Sequence, residues 1–234
     1  MLLPIEVEEL GSVWGKTLLH LQCHIGTDTL SWARRGARVT GVDFSAEAIA
    51  QANKLAERAE MEEVRFIESE VSRAAHALPD ERFDIVFTSW GVLGWLPDLD
   101  AWARTIKRLL KPGGVFYIAE LHPTLLMFDG KEADVRRYPY FRPAEPLIED
   151  SDGSYADRSV ELVYRRRFEW VYELGQVLTA LADVGLRIQF LHEHDGTCCQ
   201  FLECLTKHDD GLYRLPEGEL SLPLSFSIRA IFES

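Results

Sequence analysis

From about residue 17 to residue 120 the chain repeats one unit: a short apolar run, a turn, a stretch with helical spacing, then the next apolar run. Thr17–Leu21 reads as a buried strand ending in the turn Gln22–Gly26. Thr27–Arg35 has helical spacing, with Leu30, Trp32 and Ala33 to pack, and Gly36 closes it as glycine does just past a helix C-terminus. Arg38–Asp43 is a second strand, and Ser45 caps an Ala- and Glu-rich helix over Ala46–Glu60. Val64–Glu68, Phe83–Thr88 and Gly114–Glu120 continue the series, with an amphipathic helix over Asp98–Leu110 stopped by Lys111-Pro112-Gly113-Gly114. Strands and helices alternating at this spacing build parallel βαβ units with right-handed crossovers. The expected fold is α/β, a doubly wound, Rossmann-like sheet.

The rhythm stops at Leu121. His122–Ser159 is rich in Pro, Asp and aromatics, including Tyr138-Pro139-Tyr140-Phe141-Arg142-Pro143, and so long an aperiodic stretch reads as a functional cover. Ser159–Tyr164 and Arg166–Tyr172 alternate like the strands of a small ribbon. Leu174–Val184 is a helix ended by Gly185, Leu186–Leu191 a sixth sheet strand, and Leu222–Phe232, with Pro223 near its start, a final antiparallel strand.

At 234 residues this is one domain carrying an insertion. Its 38 acidic residues against 25 Lys and Arg leave a formal charge of −13, which disfavours a broad phosphate-binding face and hence a nucleic-acid partner. No apolar run approaches the roughly 18 residues that span a bilayer. Met1–Glu9 lacks the basic head and apolar stretch of a signal peptide. Cys23, Cys198, Cys199 and Cys204 are too few and too clustered for a disulfide framework. These features predict a cytoplasmic protein with no membrane partner.

In an open α/β sheet, ligands bind beyond the carboxyl ends of the strands where the strand order reverses. The Gln22–Gly26 turn and the helix after it would form that crevice, with free N–H groups at the helix start. Asp43, 17 residues after Gly26, can accept hydrogen bonds from ribose hydroxyls. A nucleoside-containing cofactor follows. A pyrophosphate needs bare glycine backbone in the turn, whereas Gln22 and His24 stand there and only Gly26 remains, so a cofactor without a diphosphate fits better. The alternative for Gly26 is that it merely makes a tight turn.

The runs Leu18–Gly26, Gly41-Val42-Asp43-Phe44-Ser45, Phe83-Asp84-Ile85-Val86 and Leu109-Leu110-Lys111-Pro112-Gly113-Gly114 together resemble the class I S-adenosylmethionine-dependent methyltransferases of small-molecule type. The resemblance covers about residues 15–122 and implies a seven-stranded sheet whose last strand is antiparallel. It implies that Gln22, Cys23 and Gly26 line the methionine part of S-adenosylmethionine, with Asp28 near its ammonium. It places Asp43 on the ribose, Phe44 on the adenine face, Glu70 and Val71 by the adenine amino group, and Ser89 and Trp90 under the sulfonium and methyl. His20 stands where many members have an acidic residue. Members also carry further helices ahead of the first strand, so a lid is expected from residues 122–159 or from a longer N-terminus. The chain divides on this reading into a cofactor-binding half (1–122), an irregular cover or substrate insertion (123–173) and a C-terminal part that completes the sheet (174–234).

Methyl transfer from a sulfonium is an in-line displacement, so the protein mainly aligns the reactants and excludes water. A base is needed only where the acceptor must lose a proton, and His122 at the crevice rim is the candidate, against a plain rim role. Trp102, in register with Ile106 and Leu109, reads as core; Trp90 contacts the methyl region or caps the core; Trp95 shares the loop. Tyr138, Tyr140 and Phe141 would wall an acceptor pocket or pack the loop down, and Arg136-Arg137 and Arg165-Arg166-Arg167 read as a solvated face before an anion site. His192, His194, Cys198, Cys199, Cys204 and His208 match no paired-ligand spacing, so no metal is expected. The expected protein is a monomer or homodimer acting on a small molecule. The alternatives are a non-catalytic cofactor-binding regulator on the same fold and an NAD(P)-dependent oxidoreductase.

Overall fold

In the computed structural model, which describes residues 2–128, 135–150, 166–218 and 221–233, the helices are α1 (Pro4–Leu10), α2 (Thr27–Arg34), α3 (Ala46–Arg58), α4 (Ala74–Ala77), α5 (Leu99–Leu109) and α6 (Leu174–Asp183). The strands are β1 (Thr17–Leu21), β2 (Arg38–Asp43), β3 (Arg65–Glu68), β4 (Phe83–Ser89), β5 (Leu110–Leu121), β6 (Leu147–Asp150), β7 (Arg166–Glu169) and β8 (Leu186–His194). Three further strands, β9 (Gly196–Thr197), β10 (Thr206–Lys207) and β11 (Tyr213–Arg214), are two residues each, and β12 (Ser225–Phe232) ends the series.

One seven-stranded sheet runs in the order β3-β2-β1-β4-β5-β12-β8. β1 to β5 pair in parallel, and β12 is antiparallel to both β5 and β8. Strand order therefore reverses between β1 and β4. Successive side chains of a strand point to opposite faces, and the core divides accordingly. Leu18, Val39, Ile85, Phe87 and Tyr117 pack with Leu10 of α1 and Leu30 and Trp32 of α2. Leu19, Leu21, Val86, Phe116, Ile118 and Ile228 pack on the other face with Trp102 and Ile106 of α5 and Val177 and Leu181 of α6. Covered on both faces, the central strands must be apolar at nearly every position, which is why they read as continuous runs. Each large apolar side chain so buried contributes about 1.5–3 kcal/mol.

Asp84 locks the amino-terminal edge of this sheet. Its Oδ2 accepts from the Thr17 N–H at 2.8 Å and the Thr17 hydroxyl at 2.7 Å, and its Oδ1 accepts from Lys111 Nζ at 2.8 Å. Burial pushes the carboxyl pKa up, but the Lys111 ammonium and the Thr17 donors prevail and hold it at about 2.

Three local expectations change. β5 starts at Leu110 rather than Gly114: Leu110 pairs with Phe83, the next ladder pair is Ile85 with Val115, and Lys111–Gly114 is accommodated as an irregularity between them. The ribbon partner of β7 is β6, with Leu147 opposite Glu169, while Ser159–Tyr164 lies outside the described residues. β12 starts at Ser225 rather than Leu222, since Pro223 has no N–H to give to a ladder.

Candidate cofactor crevice

Beyond the carboxyl ends of β1, β2 and β4 the chain leaves a crevice of about 740 Å³. Its first wall is the turn after β1. The Cys23 N–H donates to the Val42 carbonyl at 3.0 Å and the Gly26 N–H to the Cys23 carbonyl at 2.9 Å. Asp43 fastens this turn to β2: Oδ2 accepts from the His24 N–H at 2.8 Å, and Oδ1 from the Ser45 N–H at 3.0 Å. Ser45 in turn caps α3 through the Ala48 N–H. An ionised carboxylate has about four acceptor positions. Two on Asp43 are thus left for a ligand.

Gln22 and His24 hold φ angles of 56° and 49°, the left-handed region that favours glycine. The backbone adopts the glycine-like turn without glycine, at a cost of order 1 kcal/mol per residue. Gln22 offsets part of it by donating from Nε2 to the Val92 carbonyl at 2.9 Å, which ties the turn after β1 to the turn after β4. Its Oε1 is buried with no protein donor among the described residues. Trp90, at φ 42°, is a third left-handed side chain on the same crevice. Strained backbone concentrates where a ligand site over-determines it.

Of the residues singled out in the sequence, Gln22, Cys23, Asp28, Asp43, Phe44, Glu70, Val71, Ser89 and Trp90 all line this one crevice. Phe44 is 62% exposed at its edge, and Glu70 lies 3.5 Å from Arg73. Burial pushes the Cys23 thiol pKa up, so it stays neutral. Gly26 is not among the lining residues. Its φ is 78°, and a Cβ there would stand 2.6 Å from the Phe66 ring and 3.0 Å from Ala52, so it seats the start of α2 against β3 and α3. His20 also lines the crevice, 2.9 Å from the Thr29 hydroxyl, with burial lowering its pKa to about 4. A neutral ring therefore stands where many methyltransferases have an acid.

The sequence did not single out Leu96, Pro97, Asp98 or Trp170, which line the far part together with Trp95 and Trp102. Trp170 arrives from beyond the β5 excursion, its N–H donating to the Gly94 carbonyl at 2.9 Å. Tyr172 follows with its hydroxyl on the Leu96 carbonyl. No local signal marks these residues, because only tertiary contact brings them to β4. The described lining carries Asp28, Asp43, Glu70 and Asp98 but neither Lys nor Arg.

His122 is not among the lining residues. It is 3% exposed, its Nδ1 2.8 Å from the Thr124 hydroxyl and its Nε2 2.9 Å from Glu193 of β8, and burial lowers its pKa. Tyr138, Tyr140 and Phe141 also lie away from the crevice: Tyr138 hydrogen-bonds Glu149, and Phe141 rests edge-on against Tyr140. Arg167 pairs with Glu149 and Glu169, and Arg165 falls outside the described residues. His192 pairs with Glu9 at 2.7 Å and His194 reaches the Ser227 hydroxyl at 3.0 Å. The four cysteines are free, and among the described residues no three metal-ligating side chains converge. No helix among them is long and apolar enough to cross a membrane.

A family profile described as "Methyltransferase domain" matches residues 19–118. The chain is 26% identical over 201 residues to a ubiquinone biosynthesis O-methyltransferase of Aeromonas salmonicida, covering 81% of this chain and 82% of that protein. It is 33% identical over 160 residues to the enzyme of the same name from Serratia proteamaculans, covering 63% and 65%. Several further relatives of that name are matched over 60–65% of their length. Among solved structures, an S-adenosylmethionine-dependent methyltransferase from Mesorhizobium loti superposes with TM-score 0.63 at 21% identity, over 96% of this chain and 94% of that one. The glycopeptide N-methyltransferase MtfA, complexed with S-adenosylmethionine, gives TM-score 0.60 at 18% identity over 96% and 90%. The structures establish the fold, and the family profile spans the strands and turns that build the crevice. Over residues 19–118 the chain is thus similar to methyltransferase domains, and its fold is that of the S-adenosylmethionine-dependent methyltransferases.

Proposed function

We propose that this chain transfers a methyl group from S-adenosylmethionine to a small-molecule acceptor. The observation that carries the reading is Asp43: one buried carboxylate joins the turns after β1 and β2 at the crevice and keeps two acceptor positions in hand for ribose hydroxyls. The cofactor supplies the activated methyl on a cationic sulfonium. Four carboxylates without a lining Lys or Arg suit that charge and the adjoining ammonium, and they disfavour a diphosphate. Asp28 and the orphaned Gln22 Oε1 would take the ammonium end, Phe44 would cover the adenine, and Glu70 and Val71 would meet its edge. Ser89 and Trp90 would border the methyl.

The remainder of the crevice, walled by Trp95, Pro97 and Trp170, is the proposed acceptor side, with Trp170 as the contribution of residues 123–173 to its cover. Its size and charge support a small, non-anionic molecule rather than nucleic acid. With His20 neutral and His122 outside the lining, alignment and water exclusion carry the rate in this proposal, and His122 clamps β5 to β8. Free thiols on all four cysteines agree with a reducing, cytoplasmic setting.

Calorimetry with S-adenosylhomocysteine tests the reading. Binding is expected for the native chain, none for NAD, and a loss of about 10–100-fold in Asp43→Ala, since charge-assisted hydrogen bonds are worth about 1.5–3 kcal/mol. Binding of NAD alone overturns the proposal. Binding of S-adenosylhomocysteine, with no methyl transfer to any of a broad acceptor panel, favours the regulatory alternative.

A further inference from the structure

Glu120 lies one residue before the end of β5, is 3% exposed, and is not among the residues that line the crevice. Its Oε1 accepts from the Gly91 N–H at 2.5 Å and the Leu121 N–H at 2.6 Å. Its Oε2 accepts from the Val92 N–H at 2.7 Å and the Leu93 N–H at 3.1 Å. Three consecutive backbone N–H groups of the turn after β4 thus converge on one buried carboxylate. Consecutive N–H groups aimed at one point form an anion nest, here filled by the protein's own side chain. Burial pushes the Glu120 pKa up, and the four donors, which a protonated carboxyl cannot all satisfy, oppose the shift.

The turn it holds is the one that shapes the crevice. Trp90 at φ 42° and Gly91 at φ 73° are successive left-handed residues, and the Trp90 N–H donates to the Ala119 carbonyl at 2.9 Å. Trp90, Gly91 and Val92 all line the crevice, and the Val92 carbonyl receives Gln22 Nε2 from the opposite wall. A bulky side chain keeps a left-handed backbone only where its surroundings over-determine it. Here the surroundings are the Glu120 carboxylate and the Ala119 carbonyl.

We infer that Glu120 is a positioning residue for the methyl donor: from behind the crevice it fixes the Trp90–Leu93 turn, so that the cofactor meets a wall already in its bound shape. Buried and outside the crevice lining, it touches neither substrate nor cofactor. The inference rests on the methyltransferase reading.

Glu120→Gln keeps the shape but turns an amide N–H₂ toward the turn's N–H donors; Glu120→Asp keeps the charge but withdraws it by one methylene. S-adenosylhomocysteine is titrated calorimetrically into the native chain, both variants, Trp90→Ala, and Trp90→Ala combined with each Glu120 change. Val177→Ala on α6, on the core side of the sheet, controls for lost stability alone. The expected result is an affinity at least tenfold weaker for Glu120→Gln, a smaller loss for Glu120→Asp, and none for Val177→Ala. In the Trp90→Ala background the Glu120 penalty is expected to shrink to under threefold, which a merely structural carboxylate would not produce. Where Glu120→Gln does not fold, Glu120→Asp carries the same comparison. Native affinity within twofold in the Glu120 variants, or a penalty fully additive with Trp90→Ala, overturns the inference. Failure of the native chain to bind strikes the methyltransferase reading instead.

Discussion

Glu6 on α1 is completely buried, with Oε2 accepting from the Leu3 N–H at 2.7 Å, and burial pushes its carboxyl pKa up to about 8. Below the unfolded value of 4.5 both states hold the proton. Between 4.5 and about 8 the unfolded chain loses it while the folded one keeps it, so stability falls as pH rises, by about 1.4 kcal/mol per unit at most. Above about 8 the loss is complete. Glu6→Gln keeps an oxygen for the Leu3 N–H and removes the titration. Its melting temperature is expected to gain on the native chain from pH 5 to pH 8, and a constant difference in melts over that range counts against the assignment. Nothing in the sequence marked Glu6, because a glutamate on a short amphipathic helix reads as a surface residue until the Trp90 and Asp28 side close over it. Asp43 is the opposite case: an acid at the end of an apolar strand is legible in one dimension, since the strand fixes where the side chain must emerge.

Among the elements, α2 begins without a side-chain cap, on a left-handed Gly26. A Cβ at this position meets the Phe66 ring at 2.6 Å. Gly26→Ala is therefore expected to cost about 1 kcal/mol for the backbone and a further 1–3 kcal/mol for the displaced core, read from urea unfolding. Gly175→Ala, in the first turn of α6 where an added Cβ meets nothing within 4 Å, serves as the contrast and is expected to be neutral or to stabilise by up to ~1 kcal/mol. The parallel strands were readable because burial on both faces leaves the central ones few polar positions. The join of α5 to β5 was not, because Lys-Pro-Gly-Gly looks like a terminator while the backbone ladder resumes across it. The two-residue strands β9, β10 and β11 have no periodicity to detect.

For the molecule as a whole, a ligand that binds only the folded state stabilises it by mass action. S-adenosylhomocysteine at 100 times its dissociation constant is expected to add about 2.7 kcal/mol, raising the melting temperature by about 5–11 °C for a domain of this size. NAD at the same concentration is expected to leave it unchanged. An equal shift with both would place the selectivity somewhere other than in the turn after β1.

Hydrophobic patterning by itself determined the strand order in the chain, the parallel sheet and the crevice at its carboxyl edge, since each follows from periodicity and from the handedness of βαβ crossovers. The tertiary structure alone decided which side chains share that crevice. Trp170 reaches Gly94 across more than 70 intervening residues, a span that exerts no local constraint on sequence. His122, adjacent to the crevice along the chain, is turned instead toward Glu193, because the antiparallel β12 brings β8 alongside and offers a buried ring an acidic partner.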